Sequence, residues 1–212
     1  MRSPLLALLL CCLLAPFGQA AVPADTVTSL AGDTKIPFSA ERSIVTNGKT
    51  YDGHVSAAPG MQRHEQVLNG LPLVAILRAD RQVAWLMLPG LHIYAEFAFP
   101  KAVTEYDGIA ALGPPLGSEI VAGLKCRRYR VEHEGTDGSA LNGTVWMTGD
   151  GIVMKLDGTY SSPKNKLVTA SFQLSNVKLG PQDPALFEIP KGMKKLPVEM
   201  VQGLLSLQQP KH

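Results

Sequence analysis

Cysteine is scarce in this sequence, with three residues among 212. Two of them, Cys11 and Cys12, lie in the first 20 residues, within a predicted leader segment. Once that segment is removed, Cys126 is the last cysteine and no intrachain disulfide can form, so the apolar core must hold the fold by itself. We expect Cys126 to be a small apolar residue at a strand edge; a reactive or intermolecular thiol is the alternative.

An excess of charge of one sign is also lacking. Lysine and arginine number 20 against 18 aspartate and glutamate residues, which gives a formal net charge of +2. Loss of Arg2, the one charged residue among the first 20, lowers this to +1. So small a net charge gives no reason to expect nucleic acid or strongly acidic partners.

Signatures of catalysis are missing as well. The sequence contains no Gly-x-Ser-x-Gly elbow, phosphate loop, dinucleotide fingerprint or His-Glu-x-x-His motif, and we therefore expect no enzymatic activity and no cofactor. His54 and His64 fall on neighbouring predicted strands with Glu65 alongside, but a metal site needs three or four converging ligands. We expect solvated hairpin histidines and no metal site.

Long apolar runs are absent beyond the first 20 residues. Arg2, the apolar run 5–14 and the small residues Gly18 and Ala20 have the order of a secretory signal peptide cleaved after Ala20. Ten residues at about 1.5 Å each cannot cross a hydrocarbon core of roughly 30 Å. We predict a signal peptide at 1–20, a single domain at 21–212 and a periplasmic location for the mature protein.

Lipidation at Cys11 or Cys12 is the alternative to this cleavage. No small residue precedes Cys11, and a cut at either cysteine would fall inside the apolar run. The later cut fits the pattern of a signal peptide better.

Short runs of β-branched and aromatic residues, separated by Asn-Gly, Pro-Gly and other turn signals, dominate the rest of the chain. The runs are 36–46, 50–57, 61–68, 71–78, 82–88, 92–99, 125–133, 141–147, 152–156 and 166–179. Helical patterns are few: 24–31, 103–112 and 197–207, with a turn near 181–186. We predict a mainly β (α+β) fold, a curved, antiparallel and unclosed half-barrel of about 10–11 strands with a few short covering helices.

Strand 71–78 is apolar at both parities, so Leu73, Ala75 and Leu77 face one way while Val74 and Ile76 face the other. Both faces of the sheet therefore need cover, and an incompletely covered apolar cavity would suit a hydrophobic ligand. Complete filling by the protein's own side chains is the alternative. The candidate cavity residues are Val74, Ile76, Trp85, Met87, Tyr94 and Trp146.

A charged group, Arg78, Asp80 and Arg81, follows the same strand. These residues could hold a head group or a partner. In the structural alternative, Asp80 caps the turn and the arginines lie along the sheet edge, where they discourage edge pairing.

Several motifs resemble an uncharacterised family of exported bacterial proteins, which itself is similar to the Lol-type superfamily of periplasmic lipoprotein carriers and receptors. The motifs are Arg63-His64-Glu65, Leu77-Arg78-Ala79-Asp80-Arg81, Trp85-Leu86-Met87-Leu88-Pro89, Tyr94-Ala95-Glu96, Gly117-Ser118-Glu119, Trp146-Met147-Thr148 and Leu186-Phe187-Glu188-Ile189-Pro190-Lys191-Gly192. The resemblance implies an unclosed half-barrel of about eleven strands, with helices as a lid over an apolar interior that takes acyl chains in the characterised carriers. It implies no individual binding residue.

Two functions remain open from the sequence. The first is a soluble envelope protein that binds acyl chains, lipid or a lipoprotein in the half-barrel without catalysis. The second is an interaction module with a solid core that docks another envelope protein.

Overall fold

The computed structural model describes residues 34–46, 48–68, 70–98, 114–134, 140–162 and 165–207. Twelve strands in these residues form one sheet. They are β1 Phe38–Thr46, β2 Lys49–Ala58, β3 Met61–Leu68, β4 Leu71–Arg78, β5 Val83–Leu88, β6 Ile93–Ala98, β7 Gly117–Val121, β8 Leu124–Glu134, β9 Ala140–Thr148, β10 Val153–Ser162, β11 Asn165–Leu179 and β12 Lys194–Lys195. The helices predicted at 24–31 and 103–112, and the predicted signal peptide, lie outside the described residues.

The sheet is built from two meanders that meet in its middle. Strands β1–β6 form one meander and β7–β11 the other, and β1 pairs with β11 in antiparallel register. Strand β12 pairs in parallel with β6, so β12 and β7 are the two edges and the sheet does not close. The predicted curved, mainly antiparallel half-barrel is confirmed, with twelve strands instead of 10–11.

Tight turns set the register of the first meander. The predicted turns at Gly48 and Gly60 have φ angles of 74° and 71°, in the left-handed region that glycine adopts without a steric penalty. One-turn 3₁₀ helices at Ala79–Arg81 and Pro89–Leu91 connect β4 to β5 and β5 to β6.

One face of β1–β6 is buried across all six strands, and we call it the inner face. Backbone pairing places residues of this face in rows that cross the strands. One row is Ala40, Val55, His64, Ala75, Leu86 and Ala95, and each of these residues is at most 9% exposed. The opposite, outer face is exposed or half-buried on β1 and buried on β4 and β5. Because alternate residues of a strand point to opposite faces, the parity predicted for β4 is confirmed.

The chain after β11 covers both faces of β4–β6. A 3₁₀ helix, Pro184–Phe187, places Phe187 against the outer-face residues Ile76 and Trp85. Strand β12 then runs beside β6, and helix α1, Val198–Leu207, packs Val201 and Leu205 on the inner face. The predicted C-terminal amphipathic helix is thus confirmed, and it docks on the sheet.

Candidate functional site: a polar cluster on the inner face

A group of polar side chains, which we call the inner-face cluster, lies among the buried apolar residues of the inner face: Arg42, Gln62, His64 and Gln66. Arg42 is placed there by the alternation of β1, in which every second residue from Phe38 to Thr46 is buried. Arg42 is only 2% exposed. Its Nη2 donates to Oε1 of Gln66 at 2.7 Å, and its Nη1 lies 3.1 Å from Nδ1 of His64.

Gly53 makes room for the Arg42 guanidinium. It lies between Arg42 and Gln66 in one row of the sheet. A Cβ atom at this position would be 2.8 Å from Nη2 of Arg42 and would collide with the carbonyl oxygen of Glu65. A side chain here would displace either the sheet backbone or the guanidinium, so the lack of a side chain at Gly53 is part of the site.

His64 is neutral in this arrangement. Because Arg42 can only donate, Nδ1 of His64 accepts from it, and Nε2 carries the proton that it shares with Oε1 of Gln62 at 3.0 Å. Burial, and second the positive charge of Arg42, lower the pKa of His64 to about 3. The imidazole therefore adds no charge to the cluster near neutral pH.

Arg42 keeps its charge although no carboxylate of the described residues lies beside it. Burial lowers the pKa of Arg42 to about 10, which leaves the guanidinium protonated at neutral pH. Its two partners among the described residues, His64 and Gln66, are uncharged, and its buried Nε has no hydrogen-bond partner. A buried charge without an opposite charge is costly. The cluster is thus a positive site with at least one unused donor.

Five of the six residues predicted to line a cavity lie on the outer face. Val74, Ile76, Trp85 and Met87 are on the outer face of β4 and β5, packed with Phe187, and Tyr94 is half-buried against the same cluster. Trp146 belongs to another apolar cluster, with Cys126 and Met154, which also contains the inner-face residues Ala40 and Val55. The structure therefore groups five of the six predicted residues, under a segment of the chain itself. Their contact with a ligand stays a prediction.

Both tryptophans in this set also have polar partners. Nε1 of Trp85 donates to Oε2 of Glu96 at 3.0 Å, and Nε1 of Trp146 donates to Oε2 of Glu119 at 2.8 Å. A buried indole normally satisfies its N–H in this way. Both indoles are therefore held as ordinary packed side chains are.

His54 and His64 lie on neighbouring strands, but the register does not bring them together. His54 is opposite Glu65, and its Nδ1 lies 3.5 Å from Oε1 of Glu41, whereas His64 is opposite Val55 on the inner face. The expectation that His64 is solvated is wrong, because its parity on β3 turns it into the half-barrel. Among the described residues, no three possible metal ligands come together.

Arg78 and its neighbours form a second charged group, which we call the outer-face cluster: Arg78, Asp80, Arg81 and Glu188. Arg78 is 5% exposed and donates to both carboxylate oxygens of Asp80, at 2.8 and 2.7 Å, and to Oε1 of Glu188 at 2.6 Å. It also donates to the carbonyl oxygen of Phe187 at 3.1 Å. Arg78 thereby fastens to β4 the segment between β11 and β12, which we call the C-terminal crossover.

The edge position expected for these arginines is wrong, because β4 lies between β3 and β5. The predicted cap is also replaced, since no side chain caps the Ala79–Arg81 turn and the Asp80 carboxylate pairs with Arg78. Their contacts hold the crossover segment to the sheet and do not protect a sheet edge.

Sequence reasoning missed Arg42 and Gln66. A signal was present: Arg42 occupies the same parity as Phe38, Ala40 and Ile44 in a strongly alternating strand. A charged residue on the apolar parity of a strand marks a candidate site.

No family model matches the sequence, and no curated protein matches it. Similar solved structures do exist. An uncharacterised conserved protein from Thermus thermophilus is similar with a TM-score of 0.51 and 12% identity, over 82% of this chain and 97% of that one. At this identity the likeness concerns the fold alone.

Two further solved structures are similar to this chain. The MucA/MucB complex of Pseudomonas aeruginosa is similar with a TM-score of 0.47 and 16% identity, over 80% of this chain and 62% of that one. A LolA superfamily protein from Nitrosomonas europaea is similar with a TM-score of 0.41 and 12% identity, over 79% and 98%. In the part of the chain that the structure describes, no helix has the length and apolarity needed to cross a bilayer.

Proposed function

We propose that this protein is an exported, periplasmic binding protein that takes the acyl chains of a lipid or lipoprotein on the inner face of its half-barrel, without catalysis. The observation that carries the proposal is the position of helix α1. Its apolar stripe covers an apolar part of the inner face, where Leu73, Leu86 and Phe97 are each at most 4% exposed.

Helix α1 has the properties of a displaceable cover. It is ten residues long, and a helix of that length is marginal in water without tertiary contacts. Just before it, the amide of Leu196 donates to the carbonyl oxygen of Tyr94 at 2.8 Å, so the helix is anchored next to the sheet edge. A movement about this anchor would exchange contacts of Val201 and Leu205 for contacts with an acyl chain.

A pair of substitutions on α1 tests the proposal. Val201 is fully buried against the inner face, whereas the adjacent Met200 is 55% exposed. Val201→Asp should undock the helix and change the affinity for a fluorescent fatty acid severalfold, because the helix no longer competes for the apolar face. Met200→Asp adds the same charge on the solvent side and should bind the probe as the wild type does.

The experiment also separates the proposal from the second candidate, an interaction module with a solid core. The complete burial of Val201 and Phe187 is the observation that favours that candidate. For a solid module, Val201→Asp should lower the melting temperature, and neither variant nor wild type should bind the probe saturably. Protein purified from the periplasm would then show no attached lipid in native mass spectrometry. That outcome would reject the acyl-binding function.

The export part of the proposal has its own measurement. N-terminal sequencing of the secreted form should begin at Ala21. A mature chain that begins at Cys11 or Cys12 and carries fatty acids would contradict it.

A further inference from the structure

The inner-face cluster contains a charge that the described part of the protein leaves unbalanced. Arg42 is 2% exposed, and its partners are the neutral His64 and Gln66. A guanidinium has five N–H donors, and these two contacts use two of them. The buried Nε is one of the unused donors. Nε and an adjacent Nη form the fork that binds a planar carboxylate through two parallel hydrogen bonds.

Outside the cluster, the nearest neighbours of Arg42 on the inner face are apolar. In its own row of the sheet it lies beside Leu174 of β11, and Gln66 lies beside Leu73 of β4. Ile44, next on the same face of β1, is 2% exposed. A ligand that reached Arg42 would therefore need an anionic end and an apolar body.

We propose that Arg42 binds the ionised carboxylate of a fatty acid, whose alkyl chain lies along the apolar inner face. This inference rests on the acyl-binding function proposed above and narrows its ligand to a free fatty acid, because an ester- or amide-linked acyl chain has no carboxylate. Gln66 and His64 hold the guanidinium from one side, and Gly53 leaves the space that the guanidinium occupies. The carboxylate supplies the opposite charge that the cluster lacks, and no covalent step is involved.

The test compares two ligands of equal chain length, dodecanoate and 1-dodecanol, by isothermal titration calorimetry at pH 8 with the mature protein. The wild type should bind dodecanoate about tenfold or more tightly than the alcohol, as expected for charge-assisted hydrogen bonds in a buried site. Arg42→Met should abolish this preference while it retains alcohol binding. Arg130→Met removes an arginine that is 70% exposed on β8 and should leave the preference unchanged.

A measurement on the wild type keeps the test valid if Arg42→Met does not fold. Dodecanoate labelled with ¹³C at the carboxyl carbon should show, when bound, a carboxyl pKa below that of the free acid, because the guanidinium favours the ionised form. A bound carboxyl that titrates as the free acid does, or higher, would overturn the inference.

The possible failures can be told apart. Equal affinity for the acid and the alcohol, or a preference that survives in Arg42→Met, would reject the role of Arg42 and leave the acyl-binding function standing. A wild-type protein that binds neither ligand would reject both.

Discussion

Two buried arginines, one on each face of the first meander, have opposite environments. On the outer face, Arg78 has two carboxylates and a backbone carbonyl as partners. On the inner face, Arg42 has an uncharged imidazole and an amide. Hydrogen bonds to Asp80 and Glu188 raise the pKa of Arg78, whereas burial lowers the pKa of Arg42.

The difference separates a structural charge from a charge that a ligand can use. The charge of Arg78 is satisfied within the chain, and its partners belong to the segment that it fastens and to the turn that follows β4. Arg42 is only 2% exposed, but desolvation of its charge is not offset by any carboxylate of the described residues. The folded protein bears that cost at one position of the inner face, and an anionic ligand would remove it.

The largest expected effect concerns the packing beneath the outer-face cluster. Trp85→Ala should lower the free energy of unfolding by about 3–5 kcal/mol, because Trp85 is 6% exposed and packs with Phe187. Urea unfolding measures this value. Val67→Ala, at a side chain 61% exposed on β3, serves as the control and should change little. A loss below about 1 kcal/mol for Trp85→Ala would indicate that the indole lines an open pocket.

Removal of the outer-face charge should have the next largest effect. Arg78→Met should cost about 2 kcal/mol, because the Phe187 carbonyl loses a buried donor and the half-exposed carboxylates of Asp80 and Glu188 lose a charged one. Arg81, which is 49% exposed and also binds Glu188, is the matched control. Arg81→Met should cost less than about 1 kcal/mol. Similar losses in the two variants would mean that Arg78 does not fasten the crossover.

Acid should destabilise the inner face through His64. The unfolded imidazole takes up a proton near its ordinary pKa of 6.5, whereas the folded one does so only at about 3, so stability falls as the pH drops through this range. Between pH 6.5 and 5 the loss is about 1.6 kcal/mol, because the slope rises from half of its limit at the unfolded pKa towards about 1.4 kcal/mol per pH unit below it. Stability should therefore depend less on pH in His64→Gln.

His92→Gln, at an exposed position of the Pro89–Leu91 turn, is the control for this measurement. Urea unfolding of wild type, His64→Gln and His92→Gln is compared across the range from about pH 4 to about pH 7. If His64→Gln shows the full wild-type slope, His64 is not buried in its neutral form.

The smallest effect, and one of opposite direction to that at Arg78, is expected at Arg42. Arg42→Met should leave the free energy of unfolding unchanged or raise it by up to about 1 kcal/mol. The methionine side chain is of similar length and apolar, so folding no longer has to remove an unpaired charge from water. Chemical unfolding of the ligand-free protein measures the change. A loss of about 2 kcal/mol or more would show that Arg42 stabilises the fold as Arg78 does.

Local pattern predicted most of the meander. The bounds of β3 and β4 agree with the runs 61–68 and 71–78, since alternation and flanking turn residues act within a few positions. Strand β10 was predicted to end at Leu156 but continues to Ser162, because pairing with β9 and β11 overrides the turn-like Asp157-Gly158. Strands β7 and β12 were not predicted; their residues are mostly exposed and give little apolar signal.

The candidate site was less predictable than the fold. The prediction that Val74 and Ile76 lie on the face opposite to Leu73 is correct. Val74 and Ile76 were predicted to line the cavity, and Leu73 was not. It could not tell which of the two faces becomes the inner one. That choice depends on where the C-terminal crossover and α1 pack, which are contacts between residues distant in the chain.

The sequence by itself determined the mainly β class, the turns, the alternation within strands and the apolar stripe of α1, because each of these depends on the conformational and burial preferences of neighbouring residues. Only the tertiary structure decided that Arg42, Gly53, His64 and Gln66 meet. Their meeting requires the registers of β1, β2 and β3 together, and a shift of one residue in either pairing would put part of the group on the other face. The unpaired charge of the inner face is therefore a property of the assembled sheet.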